Sequence, residues 1–363
     1  MDVLEKAKIL SNEGSYDSCG PKMCEVKVNS GLGGIYHAKA EHKTCRIFKT
    51  LMDNSCKFDC KYCQNSSSCK NSSRKAAYEP EELAKIFMHL NKNLAVEGLF
   101  LSSGVSGNPD KTTEKMLEAV KILRYREKFK GYLHFKILPG TSYELIKQAS
   151  ELSTRMSINI ETPNKSAMSE LSTCKDYKID ILRRQSWISR FNLRSGQVTQ
   201  LILNKNSTDS DILKMMDWEY KSLNLKRIYF SSFMPVRGTP LEKEKPESLN
   251  RQNHLYNIDF LRRGYGFELK EFKEVMKDGM LPDEDPKLAL AKTNFQGAID
   301  INEADYEELI RIPGIGPKTA GMILKSKREI KKYEQLKQFG ASIHRAKPFI
   351  EVDGKRQKMI TEF

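Results

Sequence analysis

The sequence predicts an α/β fold with a small all-α domain at its C-terminal end. The larger part reads either as an incomplete parallel barrel of six βα units or as an open doubly wound sheet. Three observations carry this. Six strand-like runs alternate with helical runs between residues 46 and 232, the rhythm of βα units. Two of those strands alternate polar and apolar residues, which marks one inward polar face. After residue 268 the texture changes to a Pro- and acid-rich stretch and then a compact helical segment.

The elements follow in order. "RIFKTLM" (46–52) reads as a strand and is followed by a cysteine-rich loop. "PEELAKIFMHLN" (80–91) reads as a helix with proline in its first turn. "GLFLSS" (98–103) is a strand and "TTEKMLEAVKILRYRE" (112–127) a helix; "YLHFKIL" (132–138) is a strand and "SYELIKQAS" (142–150) a helix. "RMSINIE" (155–161) is a strand, "DILRRQSWISRF" (180–191) a helix and "VTQLIL" (198–203) a strand. "DSDILKMMDWEYKSL" (209–223) is a helix and "RIYFSS" (227–232) the sixth strand. In "RMSINIE", Met156, Ile158 and Ile160 share one face and Ser157, Asn159 and Glu161 the other. His134 and Lys136 share a face of "YLHFKIL". Polar groups near strand C-terminal ends are where α/β folds build active sites, so His134 and Lys136 are candidates for contact with substrate or a phosphate.

The chain has 363 residues, with 61 basic against 47 acidic side chains, a balance of +14. That balance suggests a polyanionic partner; a proteome rich in lysine explains it equally well. No stretch reaches the apolar run of a membrane helix, and "MDVLEKAKILSNEGSYD" lacks a secretory core. A cytoplasmic protein is expected, where clustered cysteines serve as metal ligands rather than disulfides.

"DNSCKFDCKYCQ" (53–64) places Cys56, Cys60 and Cys63 on one loop directly after the first strand. Thiolates are soft ligands that suit zinc or iron–sulfur clusters. Structural zinc takes four protein ligands; three thiolates instead hold three corners of a 4Fe–4S cube and leave one iron open. "CKFDCKYC" resembles the signature of radical S-adenosylmethionine (SAM) enzymes, with aromatic Tyr62 before the last cysteine. The resemblance implies a partial (β/α)6 barrel of the TIM type. It also implies a 4Fe–4S cluster on the three cysteines and SAM on the open iron. An electron from the cluster would cleave SAM to a 5′-deoxyadenosyl radical. An electron donor is implied as well.

Further positions resemble the SAM-binding elements of that family. Ser102, Ser103 and Gly104 end the second strand in "FLSSGV", at the place of contact with the methionine amine. The family's glycine pair with a glutamate is absent there. "INIET" resembles the biotin-synthase type of fourth strand, with Asn159 and Glu161 placed for the methionine carboxylate or ribose. "FMPVRGTPL" (233–241), with Pro235 and Gly238, resembles the loop that packs near adenine. Cys19, Cys24, Cys45 and Cys69, with His37 and His42, read either as a second metal site or as buried or incidental residues, since they match no ordinary ligand spacing.

The second informative stretch is "AIDINEADYEELIRIPGIGPKTAGMILKSKRE" (298–329). "EADYEELIRI" reads as a helix with Leu309 and Ile312 toward a core; "PGIG" is a tight turn, and Pro317 restarts a helix. Gly314 and Gly316 allow a bend that exposes consecutive amides, which suits a phosphate oxygen, with Lys318 and Thr319 to reinforce the contact. The stretch resembles the helix-hairpin-helix DNA-binding motif. Ten basic residues against two acids lie between Arg311 and Lys347, an electrostatic footprint indifferent to base sequence. Residues 332–350 read as a degenerate second hairpin.

Together these set expected boundaries: an N-terminal extension (1–44), a partial barrel (45–268), a connector (269–297), the helix-hairpin-helix domain (298–350) and a tail (351–363). The whole resembles a group of radical SAM proteins assigned to DNA modification or repair and encoded beside a uracil-DNA-glycosylase-like protein. "YDSC", "EGLFLSSGVSGNPD", "LKRIYFSSFMPV" and "HLYNIDFLRRGYGFE" carry that likeness. Tyr36 departs from it, standing where the group's pattern has a cysteine. The resemblance implies action on nucleic acid, DNA ahead of RNA, with the glycosylase-like protein as a partner. It implies no particular reaction. Two alternatives stand beside it: the same chemistry on a small molecule or protein, and a non-enzymatic iron–sulfur scaffold that binds DNA.

Overall fold

Seven strands lie in one sheet in the order in which the chain makes them. They are β1 (Ile35–Ala40), β2 (Lys43–Leu51), β3 (Gly98–Ser102), β4 (Tyr132–Lys136), β5 (Arg155–Ser157), β6 (Gln197–Leu203) and β7 (Arg227–Ser232). The computed structural model describes residues 1–14, 32–40, 43–71, 74–94, 96–326 and 329–356. From β2 to β7 every neighbour is parallel, and β1 is antiparallel to β2. A doubly wound sheet reverses its strand order at a switch point. Here the order never reverses, so the sheet is a curled half-barrel.

Helices α1 (Val3–Gly14), α2 (Pro80–Leu94), α3 (Pro109–Lys121), α4 (Tyr143–Leu152), α5 (Lys165–Leu171), α6 (Arg183–Ile188) and α7 (Asp209–Ser222) accompany these strands. Local chemistry sets their starts. The Asn108 side chain accepts the amide of Lys111 at 2.8 Å, with Pro109 opening α3. Asn164 does the same for Ala167 at 2.9 Å in α5, and each such cap is worth about 1 kcal/mol.

Strand alternation divides the residues between two environments. Phe48, Leu99, Phe135, Met156, Leu201 and Phe230 form a fully buried face, each side chain contributing about 1.5–3 kcal/mol by burial. Lys49, Phe100, His134 and Arg155 occupy the opposite face in register across β2 to β5. The polar face of β5 ends early. The sequence reads a strand to residue 161, but regular pairing stops at Ser157. Glu161 then adopts a left-handed backbone (φ 61°) and makes a single bridge to Leu201. The described part of the expected N-terminal extension, residues 1–44, carries α1 and β1.

The chain divides into two compact units, Met1–Ser207 with Lys214–Glu247, and Thr208–Leu213 with Ser248–Phe363. The second contains α8 (Leu249–Tyr265), α9 (Pro286–Asn294), β8 (Ile299–Asp300), α10 (Tyr306–Arg311), α11 (Pro317–Lys325), α12 (Ile343–Ala346), β9 (Ile350–Val352) and β10 (Lys355–Arg356). It is a helical region with a small three-stranded sheet in the order β10-β9-β8. Asp305 and Glu308 form a reciprocal capping box at the start of α10. Leu309 and Ile312 are buried among Ile315, Ile323, Leu336 and Phe349. Residues 333–349 form a 3-10 turn (Tyr333–Phe339), α12 and a short second turn rather than a pair of full helices. Among the described residues no helix is long and apolar enough to cross a membrane.

Candidate active site

The cysteine loop leaves β2 at Leu51 and is held along its first turn by the end of β3. The Met52 amide donates to the Ser102 carbonyl at 2.7 Å, Gly104 to Asp53 at 2.7 Å, and Lys57 to Val105 at 2.8 Å. Gly104 is required by this approach, because a Cβ there would stand 2.3 Å from the Ser55 carbonyl oxygen. Ser103 donates its hydroxyl to the Gly104 carbonyl at 2.7 Å. Asn54, fully buried, accepts the Ala76 amide at 2.7 Å and donates to the Arg74 carbonyl at 3.0 Å. The loop is thus fixed before its first cysteine.

Cys60 is buried, and Cys56 and Cys63 are half-buried. Backbone amides of Val105 and Phe58 donate to the Cys56 sulfur, and that of Asn65 to Cys63. Burial and the neighbouring sulfurs push the Cys56 and Cys63 thiols up, Cys63 to about 12. Lys175 lies near Cys60, and its ammonium is 5.5 Å from the Phe58 ring centre. Burial disfavours that ammonium, but the pull of Cys60 and Glu161 outweighs it and raises its pKa. Among the described residues, no three His, Cys, Asp or Glu side chains converge as they would on one metal ion. A cube with separate irons at its corners asks its thiolates to stand wider apart than one ion does.

Asp59, between the first two cysteines, sets the position of Lys175. Its carboxylate accepts the hydroxyls of Ser172 and Thr173, the Thr173 amide at 2.9 Å and the Cys174 amide at 3.3 Å. Burial opposes its charge, yet these bonds hold it well below the usual carboxylate range. Asp59 thereby ties the cysteine loop to the turn whose next residue is Lys175.

The end of β5 reaches the same place. Tyr62 lies beside Glu161, and burial together with that carboxylate raises the phenol's pKa. Glu161 is buried and held by two backbone bonds, its amide to Gln200 at 3.0 Å and its carbonyl from Ile202 at 2.7 Å. A non-glycine residue in left-handed backbone costs on the order of 1–3 kcal/mol and marks functional sites. Asn159 lies half-exposed beside it. The loop after β7 docks on the far side of the cysteine loop: the Lys70 amide donates to the Gly238 carbonyl at 2.8 Å, and Leu241 to Lys61 at 3.3 Å. Gly238 has φ 83°, and a Cβ there would meet Asn71 at 2.7 Å. Pro235 is half-buried in this loop.

Below these loops a recess opens in the half-barrel, lined by Phe100, Tyr132, His134, Arg155, Gln200 and Tyr229. His134 lies in its wall, stacked on Phe100 at 4.1 Å with Nε2 2.8 Å from the Ser157 hydroxyl. Lys136, further along β4, is half-buried. Cys45 and Cys69 are half-buried, and Cys19, Cys24 and His42 lie outside the described residues.

The second unit holds the tight turn between α10 and α11. Gly314 has φ 87°, and a Cβ there would come within 2.5 Å of the Ser342 carbonyl. The Ser342 amide donates to the Gly314 carbonyl at 2.9 Å. Gly316 precedes Pro317 and packs so closely on Tyr265 that a Cβ would stand 2.9 Å from its hydroxyl. Lys287 reaches from α9 to the Ile315 carbonyl at 2.6 Å, and burial first, then Arg345, lowers its pKa to about 7. Lys318 is exposed and Thr319 is buried. Arg311 is engaged by Glu307 and Glu271.

Lys175 and Asp59 carry no motif, and their contacts join residues more than 110 positions apart. Lys49 could have been found. In "RIFKTLM" it stands alone as a cation between Ile47 and Leu51 on one strand face.

The family comparisons agree with this geometry. Residues 52–218 match the Radical SAM superfamily, and residues 294–343 match the helix-hairpin-helix motif. The first unit therefore contains a radical SAM domain, an enzyme domain whose members bind a 4Fe–4S cluster and SAM. The second contains a helix-hairpin-helix motif. No curated protein matches the chain. Among solved structures, methylornithine synthase (PylB) is similar at 16% identity and TM-score 0.47, covering 58% of this chain and 60% of that one. The FeFe-hydrogenase maturase HydG from Carboxydothermus hydrogenoformans is similar at 12% identity and TM-score 0.46, covering 56% and 48%. Streptococcus suis SuiB bound to precursor peptide SuiA is similar at 12% identity and TM-score 0.46, covering 82% and 64%. The chain thus spans less than two thirds of the length of each of these structures.

Proposed function

We propose that this chain is a radical SAM enzyme that acts on nucleic acid, with DNA ahead of RNA, in DNA modification or repair. The observation that carries the catalytic half is the gathering of Cys56, Cys60 and Cys63 with amide donors on their sulfurs and Lys175 against Cys60. Amide donors and a nearby cation favour thiolate and an anionic cluster, so the donor set fits a 4Fe–4S cube on these three residues. When bound, the cluster and SAM would supply radical chemistry for hydrogen-atom abstraction from substrate.

The chain's own residues do the rest. Tyr62, Ser102, Ser103, Gly104, Asn159, Glu161, Pro235 and Gly238 line the rim where SAM binds. Glu161 accepts ribose hydroxyls in its fixed left-handed position. Lys175 is the counter-ion for the SAM carboxylate. His134 and Lys136 face the substrate. The rigid Gly104 contact and the docked 233–241 loop keep these groups in place and restrict water.

The nucleic-acid half rests on the hairpin, whose turn is built by Gly314 and Gly316 and whose exposed Lys318 opens α11. Gly314, Gly316, Lys318 and Thr319 hold one phosphate, Thr319 through its backbone amide. Such a contact positions without reading bases. A base inside a duplex is out of reach of the barrel, so the substrate nucleotide is flipped out or single-stranded. A cytoplasmic setting, an electron donor and a uracil-DNA-glycosylase-like partner complete the proposal.

Titration of the full chain with fluorescent DNA over a salt series tests it. Lys318→Glu is expected to weaken binding about tenfold and to lower the salt slope by about one. Affinity and slope equal to those of the unsubstituted protein would contradict the nucleic-acid reading.

A further inference from the structure

Beside the hairpin turn of the second unit, two cations meet one carboxylate. Arg345, on α12, reaches the Asp285 carboxylate with a terminal amino group at 2.9 Å. Both ends of that pair are tied to the turn. A Cβ on Gly314 would stand 3.0 Å from the Arg345 Cβ, and Ser342, just ahead of α12, donates its amide to the Gly314 carbonyl at 2.9 Å. Asp285 caps α9 by accepting the Leu288 amide at 3.0 Å. Lys287, on the same helix, donates to the Ile315 carbonyl at 2.6 Å and lies 4.8 Å from the Tyr265 ring centre. Burial and then Arg345 depress the Lys287 pKa, and Asp285 opposes them, so the carboxylate is within the field of both cations.

The pair is built to exchange its anion. It is open to water, since the Arg345 and Asp285 side chains are 44% and 30% exposed, and an exposed ion pair holds weakly. Guanidinium bonds to phosphate are charge-assisted and can be bidentate, so a phosphate displaces the carboxylate. Asp285 is not stranded when Arg345 leaves, because it keeps the Leu288 amide and the nearby Lys287 charge. Arg345 packs against the turn that precedes Lys318, so a nucleic-acid backbone held at that turn meets the guanidinium as well. Asp285 and Arg345 both lie outside residues 294–343, the stretch that matches the motif.

We propose that Arg345 is a phosphate-binding residue of this hairpin that exchanges Asp285 for a backbone phosphate when DNA docks. Asp285 thereby both orients the guanidinium and competes with the ligand for it. This rests on the nucleic-acid reading of the hairpin and adds to it a cation from beyond the matched stretch and an acid that limits affinity. Lys287 stays on the Ile315 carbonyl throughout.

A double-mutant cycle on the full chain tests it, read as affinity and salt slope for a fluorescent DNA oligonucleotide. Arg345→Gln is expected to weaken binding about tenfold and to lower the slope by about one. Asp285→Asn keeps an acceptor for the Leu288 amide and is expected to tighten binding about threefold. In the Arg345→Gln background the same Asp285→Asn change is expected to have no effect. Parent affinity and slope in Arg345→Gln would overturn the proposal. So would a gain from Asp285→Asn that persists without Arg345, the mark of plain charge repulsion. If Asp285→Asn does not fold, the Arg345 variants decide: Arg345→Lys is expected to keep the parent slope and Arg345→Gln to lose it, and equal slopes in the two would overturn the proposal. DNA binding that depends on Lys318 but not on Arg345 would sink this exchange and spare the nucleic-acid reading. No DNA binding by the parent protein would sink both.

Discussion

The Asp59 carboxylate accepts the Thr173 amide at 2.9 Å and so fastens the cysteine loop to the turn that carries Lys175. The pair joins the thiols to the cation that faces them. Asp59→Asn keeps the shape but weakens acceptance from Ser172, Thr173 and Cys174. Iron bound after anaerobic reconstitution is expected to fall at least twofold, with a loss of about 1–2 kcal/mol in stability. Iron content and melting temperature unchanged from the parent protein would show that the fastening is dispensable.

Gly104 leaves no room for a side chain, since a Cβ would stand 2.3 Å from the Ser55 carbonyl. Gly104→Ala must move either β3's end or the cysteine loop, at a cost of about 1–3 kcal/mol. Because the loop is the part without a helix to brace it, cluster loading is expected to suffer more than folding. Iron analysis beside a thermal melt measures both; a variant that loads iron fully would place the flexibility elsewhere.

Glu219 is buried and accepts from Gln185 at 2.9 Å, while its own Oε2 and the Gln185 oxygen both lack partners among the described residues. A proton on the carboxyl supplies the missing donor. Burial raises its pKa to about 8 from an ordinary 4.5. The native state then keeps a proton that the unfolded chain releases. Stability from this group is full below about 4.5, falls as pH rises, and levels off above about 8. Glu219→Gln is expected to remove that slope and to melt higher than the parent protein at alkaline pH. Melting curves across the interval decide it, and parallel slopes would refute the protonated carboxyl.

Lys287 holds the Ile315 carbonyl inside the hairpin turn at 2.6 Å and is itself buried. Lys287→Met is expected to weaken DNA binding severalfold through the shape of the turn while leaving the salt slope alone. Lys318→Glu changes the slope. A slope change in Lys287→Met, read from the same salt series, would mean that Lys287 contacts phosphate itself.

Legibility in the sequence followed the range of the interactions. The βα rhythm and the cysteine spacing are local, with periods and gaps that single residues reveal. The half-barrel rather than a doubly wound sheet needed the strand order, which periodicity does not contain. β1 escaped because a six-residue edge strand, IYHAKA, makes a weak alternating signal. The strand read across 155–161 was cut short because Glu161 takes a left-handed backbone that its residue type does not announce. Asp59 and Lys175 gain their meaning only when segments over a hundred residues apart meet. Lys49 was readable from alternation, as a cation at an inward position.

The most direct measurement of the central claim is 5′-deoxyadenosine formed by the anaerobically reconstituted protein with SAM and a strong reductant, with and without DNA, and with Cys60→Ala as control. The account predicts 5′-deoxyadenosine from the parent protein, at least several times more when DNA is present, and none from Cys60→Ala. No 5′-deoxyadenosine from a protein holding an intact cluster would contradict the radical enzyme, and formation indifferent to DNA would contradict its nucleic-acid substrate.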